Sequence, residues 1–393
     1  MKNTFLVSEL FYPNKTSTAY IMTEIAKAIS VNKKVNIVTA DTFYDDNIDQ
    51  SNSLNTENLI IYKPIKISGD KNSIYGRIKN SLGVSLSFTW FLLTKVKKND
   101  TIFAVTNPFL LVLTISILRC FIKFKYVLLV HDVFPENSVP AGLSNEKSLL
   151  YKISKFIFDW AYGKAEEKIV LGRDMFKLVS EKSNKGNINI IENWFDEDIN
   201  FDENIDKNRY LGIKLDDKIV IGFSGNIGRV QNILEFIKIF SKSKNEKLHF
   251  VIIGDGAEIN NITSYIKDNN IKNVTYHGSK PRDEQSKFLA CFDIGLITLS
   301  KGMYGLGVPS KTYNLLAMGK PIFYIGDSNS EIDLLVKDNN IGWTNVWNED
   351  QLIKELDSIS DIKDEYKINS RNLALNNFSS QIILEKFKNL LND

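Results

Sequence analysis

Residues 218–232 read "KIVIGFSGNIGRVQN". An apolar run ends in small residues, Ser224 and Gly225, and a second glycine, Gly228, follows three positions on. The next stretch, "ILEFIKIF", places apolar residues at helical spacing. A near-continuous apolar strand that passes through a glycine turn into a helix is the opening unit of a parallel sheet covered on both faces. The pattern recurs downstream in "LHFVIIGDG" (248–256), "NVTYHG" (273–278), "FDIGLITL" (292–299) and "KPIFYIG" (320–326).

Upstream of it, "DEDINFDENIDKN" (196–208) is polar and acidic and predicts a linker. Before the linker lies an earlier series of the same kind. "TFLVSEL" (4–10), "VNIVTA" (35–40), "LIIYK", "TIFAVT" and "YVLLVHD" read as strands, and the series closes near "INIIENWF" (188–195). Residues 18–30 carry Ile21, Ile25, Ala28 and Ile29 at helical spacing. The sequence therefore predicts an α/β protein of two Rossmann-like domains facing a cleft, spanning 1–195 and 209–378. The last helix, 379–393, has one apolar face that suits either half.

Composition narrows the function classes. The chain has 393 residues, and 49 Lys+Arg stand against 47 Asp+Glu for a net charge of +2, which excludes a general nucleic-acid binder. Cys120 and Cys291 sit in apolar sequence and are expected to be buried thiols of a reducing compartment. The N-terminus shows no signal-peptide pattern, and the longest apolar runs, "PFLLVLTISIL" and "SFTWFLL", are shorter than a membrane span. Charge is uneven. Residues 66–126 hold ten Lys/Arg and two acids, a net +8, with Trp90, Phe91, Phe109, Phe121 and Phe124 among them. Basic and large apolar residues interleaved in this way suit an anionic membrane surface; two ordinary amphipathic helices are the plainer alternative.

Ligands of open α/β sheets bind beyond the carboxyl ends of the strands. Gly225 and Gly228 allow close backbone approach, a following helix start would offer N–H groups to an anion, and Arg229 can form a fork with phosphate oxygens. In "GVPSKTYNLLAMGKPI" (307–322), Gly307 and Pro309 precede a helix that Ser310 can cap, and Lys311 adds charge. Asn314, one turn in, carries groups suited to sugar hydroxyls. Two phosphate-suited helix starts point to a nucleoside diphosphate. "GDG" (254–256) is either a third contact or a plain turn. In the first half, "VHDVFPEN" (130–137) sets His131 beside Asp132 and near Glu136, a group fit for proton transfer or for holding a sugar hydroxyl. "YPNKTSTA" (12–19) offers Asn14, Lys15, Thr16, Ser17 and Thr18 to an acceptor, or caps the helix that follows. No CxxC, HExxH, G-x-S-x-G, P-loop or GxGxxG pattern occurs, and no Asp-x-Asp closes a strand.

Taken in order, these stretches resemble the glycosyltransferases of the GT-B fold, family 4. "VHDVFPENSVPAGL" resembles the Asp-Leu-Trp-Pro-Glu box of that family's bacterial amino-sugar and fucosamine branch, and "IENWFD", "FSGNIGRVQNI", "VIIGDGAE", "VTYHGSKPRDE" and "GVPSKTYNLLAMGKPI" follow as they do there. The resemblance implies a retaining, metal-independent sugar transfer with no cofactor beyond the nucleotide-sugar co-substrate, which is UDP-linked by likeness to that branch. The donor would lie on the second half, touching Asn226, Arg229, Ser310 and Lys311 at the diphosphate and the stretch around His277–Arg282, with Lys280, at the base. The acceptor, a lipid-linked saccharide of O-antigen or capsule synthesis, would lie on the first. His131 would orient the transferred sugar with Glu136 supporting it, and the last helix would cross back onto the first half. The protein would be cytoplasmic, peripheral on the inner face of the cell membrane. The family's two glutamates, eight residues apart, fall on Leu306 and Asn314, its paired glycines on Thr16 and Ser17, and a lysine on Gln231. Asn314 is thus expected at the ribose, and Asn314→Glu is expected to bind nucleotide at least as tightly. The alternatives are a non-hydrolysing sugar-nucleotide epimerase of the same fold and a non-catalytic nucleotide-binding scaffold.

Overall fold

The computed structural model describes residues 2–14, 16–41, 57–66, 74–199, 201 and 205–392. Lys15, Asp70 and Lys71 lie outside them. The chain divides into two compact units, Met1–Glu192 with Leu384–Asp393, and Asn193–Ile383.

The first unit is built on a seven-stranded sheet in which every pair is parallel. Its strands are β1 (Thr4–Val7), β2 (Val35–Asp41), β3 (Leu59–Lys66), β4 (Thr101–Val105), β5 (Lys125–Leu129), β6 (Glu167–Val170) and β7 (Asn187–Ile190). The spatial order is β3-β2-β1-β4-β5-β6-β7. Leu6 lies opposite Ile37 on one side and Phe103 on the other, and all three are fully buried, as a two-sided core requires. The order reverses between β1 and β4, which opens a crevice at their carboxyl ends.

The second unit repeats the plan with six parallel strands, β8 (Ile219–Ser224), β9 (Leu248–Ile253), β10 (Val274–Tyr276), β11 (Ile294–Thr298), β12 (Ile322–Ile325) and β13 (Gly342–Asn345). Their order is β10-β9-β8-β11-β12-β13, with the reversal between β8 and β11. Phe236 of the helix Ile233–Phe240 packs edge-on against Phe250 of β9, ring centroids 5.0 Å apart, and anchors that helix to the sheet.

The described residues at the two ends of the segment predicted as a linker belong to the second unit. Phe195 N donates to Phe378 O at 3.1 Å, Asp206 caps the short helix Lys207–Leu211, and Lys207 pairs with Asp293 at 3.0 Å. Within the first unit, Phe387 from the final helix Ser380–Asn392 meets Phe103 edge-on, and Lys386 pairs with Glu192 at 2.8 Å. Cys291 is buried, but Cys120 is exposed. It sits near the end of the helix Phe109–Phe121, where the apolar neighbours, Phe121 and Ile117, themselves face outward.

Candidate active site

In the second unit the crevice is lined by three stacked turns. Gly225 N donates to Ile253 O at 2.9 Å, Ile227 N to Asp255 O at 2.8 Å, and Gly254 N to Gly278 O at 2.8 Å. This packing explains "GDG". Gly254 has φ +148°, and a Cβ there would stand 1.9 Å from Gly225 O, so no other residue lets the two turns close on each other. The motif shapes the turn after β8.

That turn does not lead straight into a helix. Arg229–Gln231 form a single 3₁₀ turn, Asn232 takes a left-handed conformation at φ +50°, and the α-helix starts only at Ile233. Gly228 N is engaged by Gln231 Oε1 at 3.1 Å. The expected helix start is therefore a tight turn. Arg229 projects from it into solvent, with Nε 3.6 Å from Glu258. Asn226 is exposed beside it.

Lys311 has the most telling position. Its Nζ lies 3.7 Å from the centroid of the Phe223 ring, and a Cβ on Gly225 would stand 3.2 Å from it. No carboxylate pairs with it among the described residues. Burial pushes its pKa down to about 7. The ring face favours the cation but does not neutralise it, so the ammonium is held ready for an anion beside a turn that has no side chain at Gly225. Its helix, Lys311–Ala317, has seven residues and opens through a turn in which Thr312 N and Tyr313 N donate to Pro309 O and Ser310 O, both at 3.2 Å. Ser310 has helical dihedrals and makes no side-chain cap, contrary to expectation. Gly307 lies in the preceding loop, whose path is fixed by Ser300 N to Val230 O at 2.7 Å and by Tyr304 N to Asp327 Oδ2 at 2.9 Å.

Asn314 corrects the sequence more strongly. It is buried, its Oδ1 accepts from Asp196 N at 2.8 Å, and its Nδ2 donates to Asp196 Oδ2 at 3.1 Å. The other oxygen of Asp196 accepts from Arg282 Nη2 at 2.7 Å. Asn314 is thus a two-point clamp on residue 196, and its amide is not turned outward to a sugar. A glutamate here would meet the Asp196 carboxylate, so the expectation that Asn314→Glu binds nucleotide as tightly is withdrawn. Arg282 belongs to the same chain of contacts, and Lys280 lies 5.6 Å over the Tyr210 ring. His277 and His249 share the Thr275 hydroxyl at 3.2 and 3.1 Å.

In the first unit, the turn after β5 carries His131 and Asp132. Both backbone N–H groups donate to Thr106 Oγ1 at 3.1 Å, and Tyr162 OH donates to Asp132 O at 3.3 Å. Thr106 is buried just past β4, the strand beside β5 on the same side of the order reversal, and it is not among the residues singled out from the sequence. A polar residue ending the apolar run "TIFAVT" at the predicted crevice was its signal. Replacing it by valine strands two backbone donors. Thr106→Val is expected to lose about 1–3 kcal/mol of stability in urea denaturation, and an unchanged midpoint would remove Thr106 from this role.

The His131 Nε2 is buried without a hydrogen-bond partner among the described residues, and burial lowers its pKa to about 4. The ring is neutral at pH 7, so it can exchange a hydrogen bond with a ligand but does not carry charge there. Asp132 is exposed. Glu136 is taken up by lysines. It accepts from Lys155 and from the fully buried Lys182, each at 2.8 Å, while Lys182 also pairs with Asp159 at 2.7 Å. Burial alone would raise the Glu136 pKa, but Lys182 and Lys155 outweigh it and hold the carboxyl below its usual range. That network makes Glu136 a brace of the loop, not a free acid or base.

In the stretch 12–19, Asn14 and Thr16 hold the local backbone. Asn14 Nδ2 donates to Phe11 O at 3.0 Å, and Thr16 caps the helix Ser17–Ile29 by accepting from Ala19 N at 3.3 Å. Ser17 is exposed in the first turn and Thr18 is partly exposed beside it.

Known proteins are similar to this chain in sequence and in fold. A model of the family described as glycosyl transferases group 1 matches residues 205–372. The probable glycosyltransferase WbjE of Pseudomonas aeruginosa is 35% identical over 323 residues, 81% of this chain and 80% of its own. The chain belongs to the group 1 glycosyltransferases. Its fold is GT-B. WaaG, a glycosyltransferase involved in lipopolysaccharide biosynthesis, superimposes with a TM-score of 0.71 at 11% identity, covering 99% of this chain and 100% of WaaG. HepE of Anabaena, in complex with UDP and glucose, does so with a TM-score of 0.71 at 14% identity over the whole of both chains. At these identities the likeness is one of fold.

Proposed function

We propose that this glycosyltransferase is a retaining, metal-independent enzyme of family 4, of its amino-sugar and fucosamine branch. It would move a sugar from a UDP-linked donor to a lipid-linked saccharide in bacterial surface polysaccharide synthesis, at the inner face of the cell membrane. The observation that carries the donor side is Lys311, an ammonium without a carboxylate partner among the described residues, lodged between Phe223 and the side-chain-free Gly225. HepE, whose fold this is, holds UDP and glucose; WaaG and its lipopolysaccharide role support the acceptor class.

In this reading the acceptor hydroxyl attacks the anomeric carbon from the face the diphosphate leaves. The carbon–oxygen bond to the diphosphate breaks, and the hydroxyl proton passes to a leaving-group oxygen. Lys311 stabilises the charge that develops on the diphosphate, and Arg229 joins it by leaving its long contact with Glu258. The neutral His131 accepts or donates one hydrogen bond to the transferred sugar. The basic segment 66–126 would meet anionic lipid.

Purified protein given a UDP-N-acetylhexosamine and a polyprenyl-diphosphate-linked saccharide in EDTA is expected to form a product with the donor's anomeric configuration. A strict need for a divalent ion, or an inverted product, would contradict the mechanism. Epimerised donor formed without acceptor would install the epimerase reading instead.

A further inference from the structure

Among the described residues no helix is long and apolar enough to cross a membrane. The first unit nevertheless presents a large apolar face. The helix Leu149–Tyr162 reads "LLYKISKFIFDWAY" and buries Tyr151, Phe158, Ala161 and Tyr162 inward. Its other side is also apolar, with Leu149 at 74%, Leu150 at 76% and Phe156 at 77% exposure. A solvated helix carries polar residues there. The helix Phe109–Phe121 packs beside it, and the helix Ile74–Lys95 beside that. Phe121 is 80% exposed and Trp90 70%, and Leu82 and Leu86 continue the Trp90 stripe at four-residue spacing. On that helix Val84, Phe88 and Leu92 already pack inward, so the outward leucines and Trp90 form a second apolar side.

The charge on the same elements says what covers this face. Lys79, Lys95, Lys97, Lys98, Lys123 and Lys152 have no carboxylate partner among the described residues. Within residues 74–125 the sole acid is Asp100, which is buried and turned to the N–H groups of Asn3 and Lys97. The helix Leu149–Tyr162 adds one acid, Asp159, which Lys155 and Lys182 neutralise, so the face stays net positive and two copies of it would repel each other. Apolar and aromatic side chains rimmed by lysines match the interface of an anionic bilayer, where the rings and leucines enter the acyl boundary and the ammonium groups stay at the headgroups.

We infer that the helix Leu149–Tyr162, with the outward edges of its two neighbours, inserts in-plane into the surface of an anionic bilayer. This deepens the membrane contact of the proposed function by adding an element outside residues 66–126. The helix lies flat; its 14 residues span about 21 Å at 1.5 Å per residue.

The test is flotation of the full chain with phosphatidylethanolamine vesicles, with and without phosphatidylglycerol. Binding is expected only with the anionic lipid, weakened by salt. Leu150→Glu/Phe156→Glu is expected to bind at least tenfold more weakly, whereas Phe176→Glu, on the helix Arg173–Lys182, binds as the parent does. Thermal unfolding with and without UDP is measured on each variant. A double variant that keeps its UDP shift and its vesicle binding overturns the inference alone. A UDP shift missing from every protein tells instead against the proposed function. A dimer that the double variant abolishes, with no vesicle binding by the parent, would assign the face to a second copy and overturn the inference.

Discussion

Lys311→Ala is expected to fold normally and to transfer sugar about 10²–10³-fold more slowly than the parent. Among the described residues the side chain makes no ion pair that its loss would strand, and its removal relieves the burial of an ammonium group. Stability is therefore expected to hold or rise. The sign follows from its depressed pKa. Between about 7 and the ordinary lysine value of 10.5, the unfolded chain binds a proton that the folded chain does not. This lysine therefore favours the folded state least near pH 7 and more as pH rises through that window. Alanine removes the dependence. A loss of transfer without loss of folding separates a charge that acts on the leaving group from one that supports the fold. Near-normal transfer by the variant would show that the diphosphate departs elsewhere.

Asn314→Glu is expected to be the most damaging single change near the crevice of the second unit. The new carboxylate would lose the donor that Nδ2 supplies to Asp196 Oδ2 and would face that oxygen as a like charge in a buried place. The cost is expected to be about 2–4 kcal/mol in urea denaturation, with the segment at 196 released from its anchor. Asp196→Asn in the same chain supplies a neutral partner, so the double variant is expected to recover most of the loss. If Asn314→Glu alone is as stable as the parent, the clamp does not exist in solution.

The two variants mark where the sequence was legible. β9 could be read directly because every residue in it is buried, which leaves an unbroken apolar run. β13, "GWTN", stands at the sheet edge with all four residues only partly buried, and its pattern does not rise above that of a loop. β6 lies inside the sheet with three of its four residues buried, but it is short and opens on Glu167 and Lys168, so it shows no apolar run. Lys311 is legible because a charge at a helix start just after a proline is a local signal. Its ring partner Phe223 was not, since nothing local ties residue 223 to residue 311. Asn314 was misjudged for the same reason. Its partner lies 118 positions away, and only the closed fold brings them together. Glu136 follows suit, being held by Lys182 at a separation of 46 residues. Residue type announced which groups could do chemistry. Long-range pairing decided which of them were already occupied.

The most direct measurement of the donor site is calorimetric titration of a UDP-N-acetylhexosamine into the parent and into Lys311→Ala at pH 7 and pH 9, in EDTA. The diphosphate of such a donor is fully ionised throughout, so at the diphosphate itself Lys311 is the group whose charge changes. With its pKa at about 7 in the free protein, the parent is expected to bind at least tenfold more weakly at pH 9 than at pH 7. The variant is expected to bind weakly and equally at both. A parent affinity that does not change with pH and that the variant shares would contradict the assignment of Lys311 to the donor diphosphate.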